Sequence, residues 1–307
     1  MTVTSPPMPP DHDDPGAWIL EQAVSGRRRF ANALATSWML GSLLLALVPV
    51  VVIVVYVVSK GAGVMSVGFL TKNLAVVEQF AGGGIAPAIV GTLVITGVAA
   101  LMAIPLGVLA AVYLNEYGRQ NRTAKVIRFM ADVMTGVPSI VMGLFVATIW
   151  VSAGLHYGYS GFAGSLALGA LMLPIVIRSC EEMLKLVPND LRQASDALGA
   201  RRWRTVVSVV IPAALPGIVS GAMLAIARAA GETAPLLLTI GYANKINSDP
   251  LHGVNNTLSQ VIWRNAQTPF AAQLDRAWGA ALTLIVIVFV FTVTARIVSG
   301  RFATIKR

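Results

Sequence analysis

The sequence predicts an all-α membrane protein that crosses the bilayer about six times. Of its 307 residues, 56% are hydrophobic and only 12% are charged, whereas soluble domains carry about 25% charged residues. The apolar residues occur in long uninterrupted runs. Because such runs bury their backbone polar groups in lipid only as helices or closed barrels, and these are long enough for helices, the bilayer determines the fold.

Six uncharged stretches are candidates to cross the hydrocarbon core, which takes about 20 residues. They are residues 38–58, 86–114, 133–155, 161–177, 205–227 and 277–295. Prolines within several of them, at positions 105, 138, 212 and 216, predict kinks. A seventh stretch, residues 233–244, is too short to span, and we expect it to be re-entrant or interfacial.

The basic residues predict the orientation of the chain. With the N-terminus inside, most of the 23 lysines and arginines fall in cytoplasmic segments, namely residues 27–29, 119–128, 178–204 and 296–307. Both termini are therefore predicted to be cytoplasmic, and the net charge of +9 needs no nucleic-acid partner. Residues 1–30 are predicted to form a disordered cytoplasmic tail, Pro-rich and without a signal-peptide pattern.

The inner loop between the fourth and fifth spans predicts a short cytoplasmic helix. Asn189 or Asp190 suits its N-terminal cap, and Gly199 suits the left-handed residue that ends it. Apolar side chains recur on one face at Leu191, Ala194 and Leu198. Composition alone is equally compatible with a solvated connector, with contact to the membrane, and with docking into a groove of a partner.

A motif in this loop is similar to the cytoplasmic signature of ABC importer permeases. That signature is Glu-Ala-Ala, three residues, Gly, nine residues and Ile-x-Leu-Pro, and here Gln193-Ala194-Ser195 is followed at the same spacing by Gly199 and residues 209–212. The acidic residue and the second alanine are replaced. The resemblance implies a coupling helix at about residues 189–199 that docks on an ATPase subunit. The residues it assigns to docking are Asp190, Leu191, Gln193, Ala194, Ser195, Leu198 and Gly199.

Arg228 and Glu232 are charged residues next to a predicted span. They are four residues apart and so neighbours on one helix face. If the membrane begins at Thr205, Arg228 lies about 35 Å further along the helix, near the outer surface. If the helix enters at Pro216, which residues 201–204 and the two prolines favour, Arg228 lies about 18 Å deeper, near the midplane. The pair then either attracts an anion in a pathway or forms a structural ion pair. Arg178, at the cytoplasmic end of the fourth span, is by position alone a positive-inside anchor.

The run at residues 225–238, Ala-Ile-Ala-Arg-Ala-Ala-Gly-Glu-Thr-Ala-Pro-Leu-Leu-Leu, resembles the A-type permeases of Pst phosphate importers, as does residues 173–182. The resemblance extends from the second span to the C-terminus. It implies a type I ABC importer permease fold over residues 31–307, in a prokaryotic plasma (inner) membrane. It also implies a phosphate pathway containing Arg178, Arg228 and Glu232. The implied partners are a C-type permease, two ATP-binding subunits and an extracytoplasmic phosphate-binding protein.

Several kinds of chemistry have no motif here. The chain lacks a P-loop, so ATP hydrolysis is expected from another chain. Its three histidines are scattered, which predicts no metal, and we expect no cofactor and no enzymatic activity. The alternatives are a permease for another oxyanion such as sulfate or molybdate, a secondary transporter that needs no ATPase, and an intramembrane enzyme.

Overall fold

The computed structural model describes residues 26–75, 77, 79–80, 82–118, 121–152 and 157–304, which are helical or irregular and contain no strand. Most of the predicted tail therefore lies outside the described residues. The chain divides into two units, Met1–Tyr56 and Val57–Arg307. Helix α1, Gly26–Gly61, carries the first predicted span, and its apolar side chains up to Tyr56 are exposed on all sides, as suits contact with lipid.

Four more helices or helical stretches are long and apolar enough to cross a membrane, and a bent pair supplies a sixth candidate span. The long helices are α3 (Ala86–Val112), α6 (Gly161–Lys185), α9 (Ile211–Ala230) and α12 (Ala271–Thr304). The shorter ones are α2 (Val67–Thr71), α4 (Arg122–Gly136), α5 (Ser139–Val146), α7 (Asn189–Ala197), α8 (Arg202–Thr205), α10 (Ala234–Thr239) and α11 (Leu258–Ala266). The all-α membrane fold with about six spans is thereby confirmed.

Three π-helical segments extend this framework. Tyr113–Tyr117 prolongs α3, Ala147–Ser152 prolongs α5, and Val206–Val210 joins α8 to α9. The last of these makes one helical stretch from Arg202 to Ala230. The fifth span is therefore a continuous helical rod, although its sequence contains two prolines.

The third span differs from its prediction. Instead of one helix over residues 133–155, the chain forms α4 and α5. The helix axis bends by 104° between them. Val137 is extended, with φ −70° and ψ 126°, and Pro138 precedes the first turn of α5. Proline disfavours helical geometry in the residue before it, so the helix breaks there. The break leaves an open corner beside α6.

Helices α3, α6 and α9 pack closely through small residues. Ala99 and Ala103 of α3 are fully or almost fully buried, and a Cβ atom at Gly107 would collide with Val176 of α6. Three residues further along α6, a Cβ atom at Gly221 of α9 would collide with Ser179. Small residues allow helix backbones to approach closely in lipid. Helices α3 and α9 thus both pack tightly against α6.

The seventh apolar stretch does not span. It forms α10 and a turn at Gly241, where φ is +71°. Pro235 of α10 lies against Gly143 of α5, and Ile240 lies against Gly164 of α6. The segment therefore folds back onto the helices beside the α4–α5 break, close to the end of α9.

We expect Gly91→Val to destabilise the protein. A Cβ atom at Gly91 of α3 would overlap the backbone carbonyl oxygen of Asn256. A backbone atom cannot move aside as the end of a flexible side chain can. Overpacking of this kind costs about 1–3 kcal/mol. Thermal unfolding in detergent should show a lower melting temperature than for Gly97→Val, which adds the same side chain to the same helix at an open position. Equal melting temperatures would contradict this packing.

Candidate functional site

A cavity of about 290 Å³ lies at the break between α4 and α5. Its walls come from three parts of the chain: the break itself, the middle of α6 and the end of α9. The lining residues are Met134, Thr135, Val137, Pro138, Ser139, Leu171, Pro174, Ile175, Arg228 and Glu232. Two of the three residues predicted for a substrate pathway thus line one cavity, and among the described residues they are its only formally charged lining residues.

Arg228 and Glu232 face each other loosely. Arg228 belongs to the last turn of α9, whereas Glu232 follows the helix, in the link to α10. The Arg228 Nε atom lies 3.7 Å from Glu232 Oε1, which is an ion pair without a hydrogen bond. The Arg228 side chain is 67% exposed and that of Glu232 21% exposed. Ser259 of α11 donates a hydrogen bond of 2.9 Å to the Glu232 carbonyl oxygen and holds the link in place.

The cavity lies half-way along α6. Leu171 and Ile175 flank the middle of this helix, which runs from Gly161 to Lys185. Each end of α6 is therefore about 15–20 Å from the cavity along the helix axis. Leu171 and Ile175 lie within the predicted fourth span, residues 161–177, toward its cytoplasmic end. Because Arg228 lies in the last turn of the continuous helical stretch Arg202–Ala230, its depth in the bilayer stays a prediction.

Arg178 occupies a different place, among ion pairs between α4 and α6. It binds Asp132 of α4, and its Nη1 atom lies 3.4 Å from Glu181 Oε2. The Glu181 side chain is only 1% exposed and also accepts a hydrogen bond of 2.8 Å from Arg128 Nε. Lys185 Nζ lies 3.6 Å from the same carboxylate. Arg178 does not line the cavity, so its role in the pathway stays a prediction.

This ion cluster closes the corner between α4 and α6. Asp132 lies about one turn before the cavity residue Thr135 on α4, and Arg178 lies one turn after Pro174 on α6. Both therefore lie on the cytoplasmic side of the cavity in the predicted orientation. Arg128 extends the cluster by donating a hydrogen bond of 2.9 Å to the Leu114 carbonyl oxygen at the end of α3.

Helix α7 coincides with most of the predicted coupling segment. It ends in a Schellman arrangement: Gly199, with φ +73°, donates to the Asp196 carbonyl oxygen at 2.9 Å, and Ala200 donates to that of Ser195 at 3.2 Å. The Ser195 hydroxyl lies 2.8 Å from that of Thr205, which ties α7 to α8.

The outer surface of α7 carries its apolar residues. The side chains of Leu191 and Leu198 are exposed, Leu198 by 88%, and Ala194 is exposed too. The other predicted docking residues, Asp190, Gln193 and Gly199, are also exposed, whereas Ser195 is half-buried. Exposed leucines on a polar cytoplasmic helix form the kind of face that inserts into a groove. Docking by these residues stays a prediction.

The sequence did not single out two buried carboxylates, Glu116 and Glu181. Glu116 belongs to the π-helical turn after α3, and its side chain is 6% exposed. It pairs with Arg192 of α7, 76 residues further along. Each acid follows an uncharged span directly or within a turn, which could have marked it. Their partners lie far away in sequence and carry no local signal.

Hydrogen bonds within the loop between α10 and α11 stabilise its conformation. His252 Nδ1 lies 2.8 Å from Asp249 Oδ2, and the Leu251 backbone N–H donates to Asp249 Oδ1 at 2.8 Å. These contacts, the histidine first, lower the pKa of the Asp249 carboxyl below its usual range. Asp249 is exposed, and these loop residues are not among those that line the cavity.

Known proteins resemble the chain along most of its length. Residues 103–304 match the family described as binding-protein-dependent transport system inner membrane components. The phosphate transport system permease protein PstA 1 of Mycobacterium tuberculosis is 46% identical over 298 residues, 96% of both chains. The PstA protein of Yersinia pestis is 40% identical over 89% of this chain and 92% of its own.

The chain belongs to the PstA family of phosphate transport permeases. Its fold also resembles that of a solved bacterial alginate ABC transporter in complex with an alginate-bound periplasmic protein. That match has a TM-score of 0.57 at 17% identity and covers 89% of this chain and 98% of the other. The predicted type I ABC importer permease fold is thus confirmed, and the chain is a multi-pass membrane component of a transport system.

We expect Arg128→Met to destabilise this PstA-family chain, because the buried Glu181 carboxylate would lose a 2.8 Å charge-assisted hydrogen bond. Loss of such a bond costs about 1–3 kcal/mol. Thermal unfolding in detergent should show a melting temperature several degrees lower. Lys125→Met, on an exposed part of the same helix, serves as the control. If both variants unfold at the same temperature, Arg128 does not stabilise Glu181.

Proposed function

We propose that the chain is the A-type permease subunit of an ATP-driven importer and passes inorganic phosphate inward by alternating access. The names of its relatives support phosphate as the cargo. The observation that carries the proposal is the cavity at mid-length of α6 in which Arg228 and Glu232 meet. It offers a cation to an anionic cargo where a free charge in the bilayer would otherwise be costly.

The geometry of Arg228 suits an oxyanion. Among the described residues its guanidinium donates no hydrogen bond, and Glu232 stands off at 3.7 Å. A planar guanidinium presents paired N–H donors that match two oxygens of a phosphate group. The nearby Glu232 limits how tightly an anion is held, because the Glu232 carboxylate repels the anion and competes with it for Arg228. Weak holding favours release on the inner side.

The Arg178 cluster is placed to act as the inner boundary of this pathway. It joins α4 to α6 on the cytoplasmic side of the cavity through Asp132 and Glu181. Rearrangement of these ion pairs would let α4 and α6 separate and expose the cavity to the cytoplasm. Arg178 would then bind the leaving phosphate in place of Asp132. This gives the third predicted pathway residue a role without direct access to the cavity.

The remaining parts of the importer follow from the same proposal. A C-type permease pairs with this chain, two copies of an ATP-binding subunit hydrolyse ATP, and an extracytoplasmic phosphate-binding protein delivers the cargo. The exposed leucines of α7 favour an ATPase partner over a secondary transporter. Both termini lie in the cytoplasm, beneath the inner membrane of a prokaryote, because the basic segments are concentrated on that side.

Arg228→Ala should lower phosphate uptake at least tenfold without loss of the assembled complex. The change removes a charged donor, worth about 1.5–3 kcal/mol for bonds to ionised groups. Uptake of radiolabelled phosphate by cells at low external phosphate measures it, with Arg296→Ala on an exposed part of α12 as the control.

The same assay separates phosphate from other oxyanions. Excess sulfate or molybdate should leave wild-type uptake unchanged, whereas competition by either would assign the importer to that anion. Normal uptake by a correctly assembled Arg228→Ala complex would remove Arg228 from the pathway.

Leu198→Asp should release the ATPase subunit. A charge on this 88% exposed apolar side chain would have to be desolvated in a groove. Leu198→Met keeps the apolar contact and serves as the control. After affinity purification of the permease, the amount of ATPase subunit should fall at least tenfold for Leu198→Asp and stay normal for Leu198→Met. Retention of the ATPase by both variants would place docking elsewhere.

A further inference from the structure

Glu116 is a buried carboxylate that the pathway does not use. It belongs to the π-helical turn Tyr113–Tyr117, which ends the second span, and its side chain is only 6% exposed. The neighbouring Asn115 amide donates a hydrogen bond of 2.7 Å to its Oε1 atom. A buried charge of this kind is costly unless it is paired and hydrogen-bonded. Its partners therefore show what it holds.

The main partner is Arg192, in the middle of α7. Arg192 Nη2 lies 2.8 Å and Nε 3.2 Å from Glu116 Oε1, so the guanidinium donates two hydrogen bonds to the carboxylate. The same guanidinium donates to the carbonyl oxygens of Val187, at 2.7 Å, and Leu184, at 3.1 Å. With its side chain 13% exposed, Arg192 joins α7, the end of α6 and the end of α3 at one point.

A second contact with Glu116 comes from the segment that follows the C-terminal end of α7. Arg202, which begins α8, donates a hydrogen bond to the Glu116 backbone carbonyl oxygen. Its guanidinium also lies over the ring of Tyr117, 5.3 Å from the centroid. Arg192, within α7, and Arg202, which follows it, thus both bind Glu116. The helix that presents the exposed leucines is anchored to α3 from its inner face.

We propose that Glu116 is the positioning residue through which movement of α7 reaches the second span. This inference rests on the proposed function, in which an ATPase moves α7. A buried, doubly hydrogen-bonded ion pair is costly to separate, so α7 and the end of α3 move together. Helix α3 packs against α6, whose middle forms one wall of the cavity. The path therefore runs from α7 through Glu116 to α3, α6 and the cavity.

The test measures phosphate transported per ATP hydrolysed. Complete importers, with the companion permease and ATPase subunits, are placed in proteoliposomes with the binding protein and phosphate, and both rates are recorded. Glu116→Gln keeps the size of the side chain and removes its charge. It should lower phosphate transported per ATP at least tenfold, while the ATPase rate stays within twofold of wild type. A merely structural defect would lower both rates together and leave their ratio unchanged.

Two further variants make the result decisive. Glu182→Gln neutralises an exposed carboxylate at the end of α6 and should keep the wild-type ratio. The double variant Glu116→Gln with Arg192→Gln should be no worse than Arg192→Gln alone, because Arg192→Gln already breaks the same pair. An unchanged ratio for Glu116→Gln, or additive losses in the double variant, overturns the inference.

Failure to assemble and failure of the proposed function give different results. If Glu116→Gln does not assemble, Glu116→Asp keeps the charge but shortens its reach, and an unchanged ratio in that variant overturns the inference, whereas a lowered ratio supports it. If the wild-type importer moves sulfate instead of phosphate, the proposed cargo is wrong. The same ratio is then measured with sulfate, and its fall or constancy in Glu116→Gln decides the role of Glu116.

Discussion

The close packing of α3 and α9 against α6 is the constraint on which the rest of the structure depends. Lipid is as apolar as leucine, so no hydrophobic force drives these helices together, and close backbone contact has to hold them. Gly107 of α3 and Gly221 of α9 provide it, since a Cβ atom at either would collide with α6. The middle of α6 thereby lies beside Arg228, and the α4–α5 corner forms the remaining wall of the cavity.

Much of this fold could be predicted from the sequence because the bilayer simplifies the problem. Uncharged runs of about 20 residues have few alternatives to a spanning helix. The third span differs from its prediction because the apolar stretch continues across Pro138, whereas the helix breaks there. A proline in a span can bend it slightly or break it, and which occurs depends on what packs in the corner. Here α10 lies against α5, with Pro235 on Gly143, a contact that hydropathy does not encode.

The candidate site was predictable where its residues are close in sequence. Arg228 and Glu232 are four residues apart, and the ion pair persists although Glu232 lies beyond the end of α9. The partners of Arg178 were not predictable in full, because Asp132 lies on another helix across the α4–α5 corner. Glu116 and its partner on α7 are 76 residues apart, and a pairing over that distance appears only when the helices are packed.

The contrast between the ion pairs of this chain favours a pathway over a structural role for Arg228. Glu116 and Glu181 are nearly inaccessible to solvent and lie 2.8 Å from their arginines, as a pair built for stability should. Glu232 lies 3.7 Å from Arg228, whose side chain is 67% exposed and lines the cavity. The same fold that closes two buried pairs leaves this one open. An open pair of this kind contributes little to stability, and in the proposed function its use is to keep a cation available to an arriving anion.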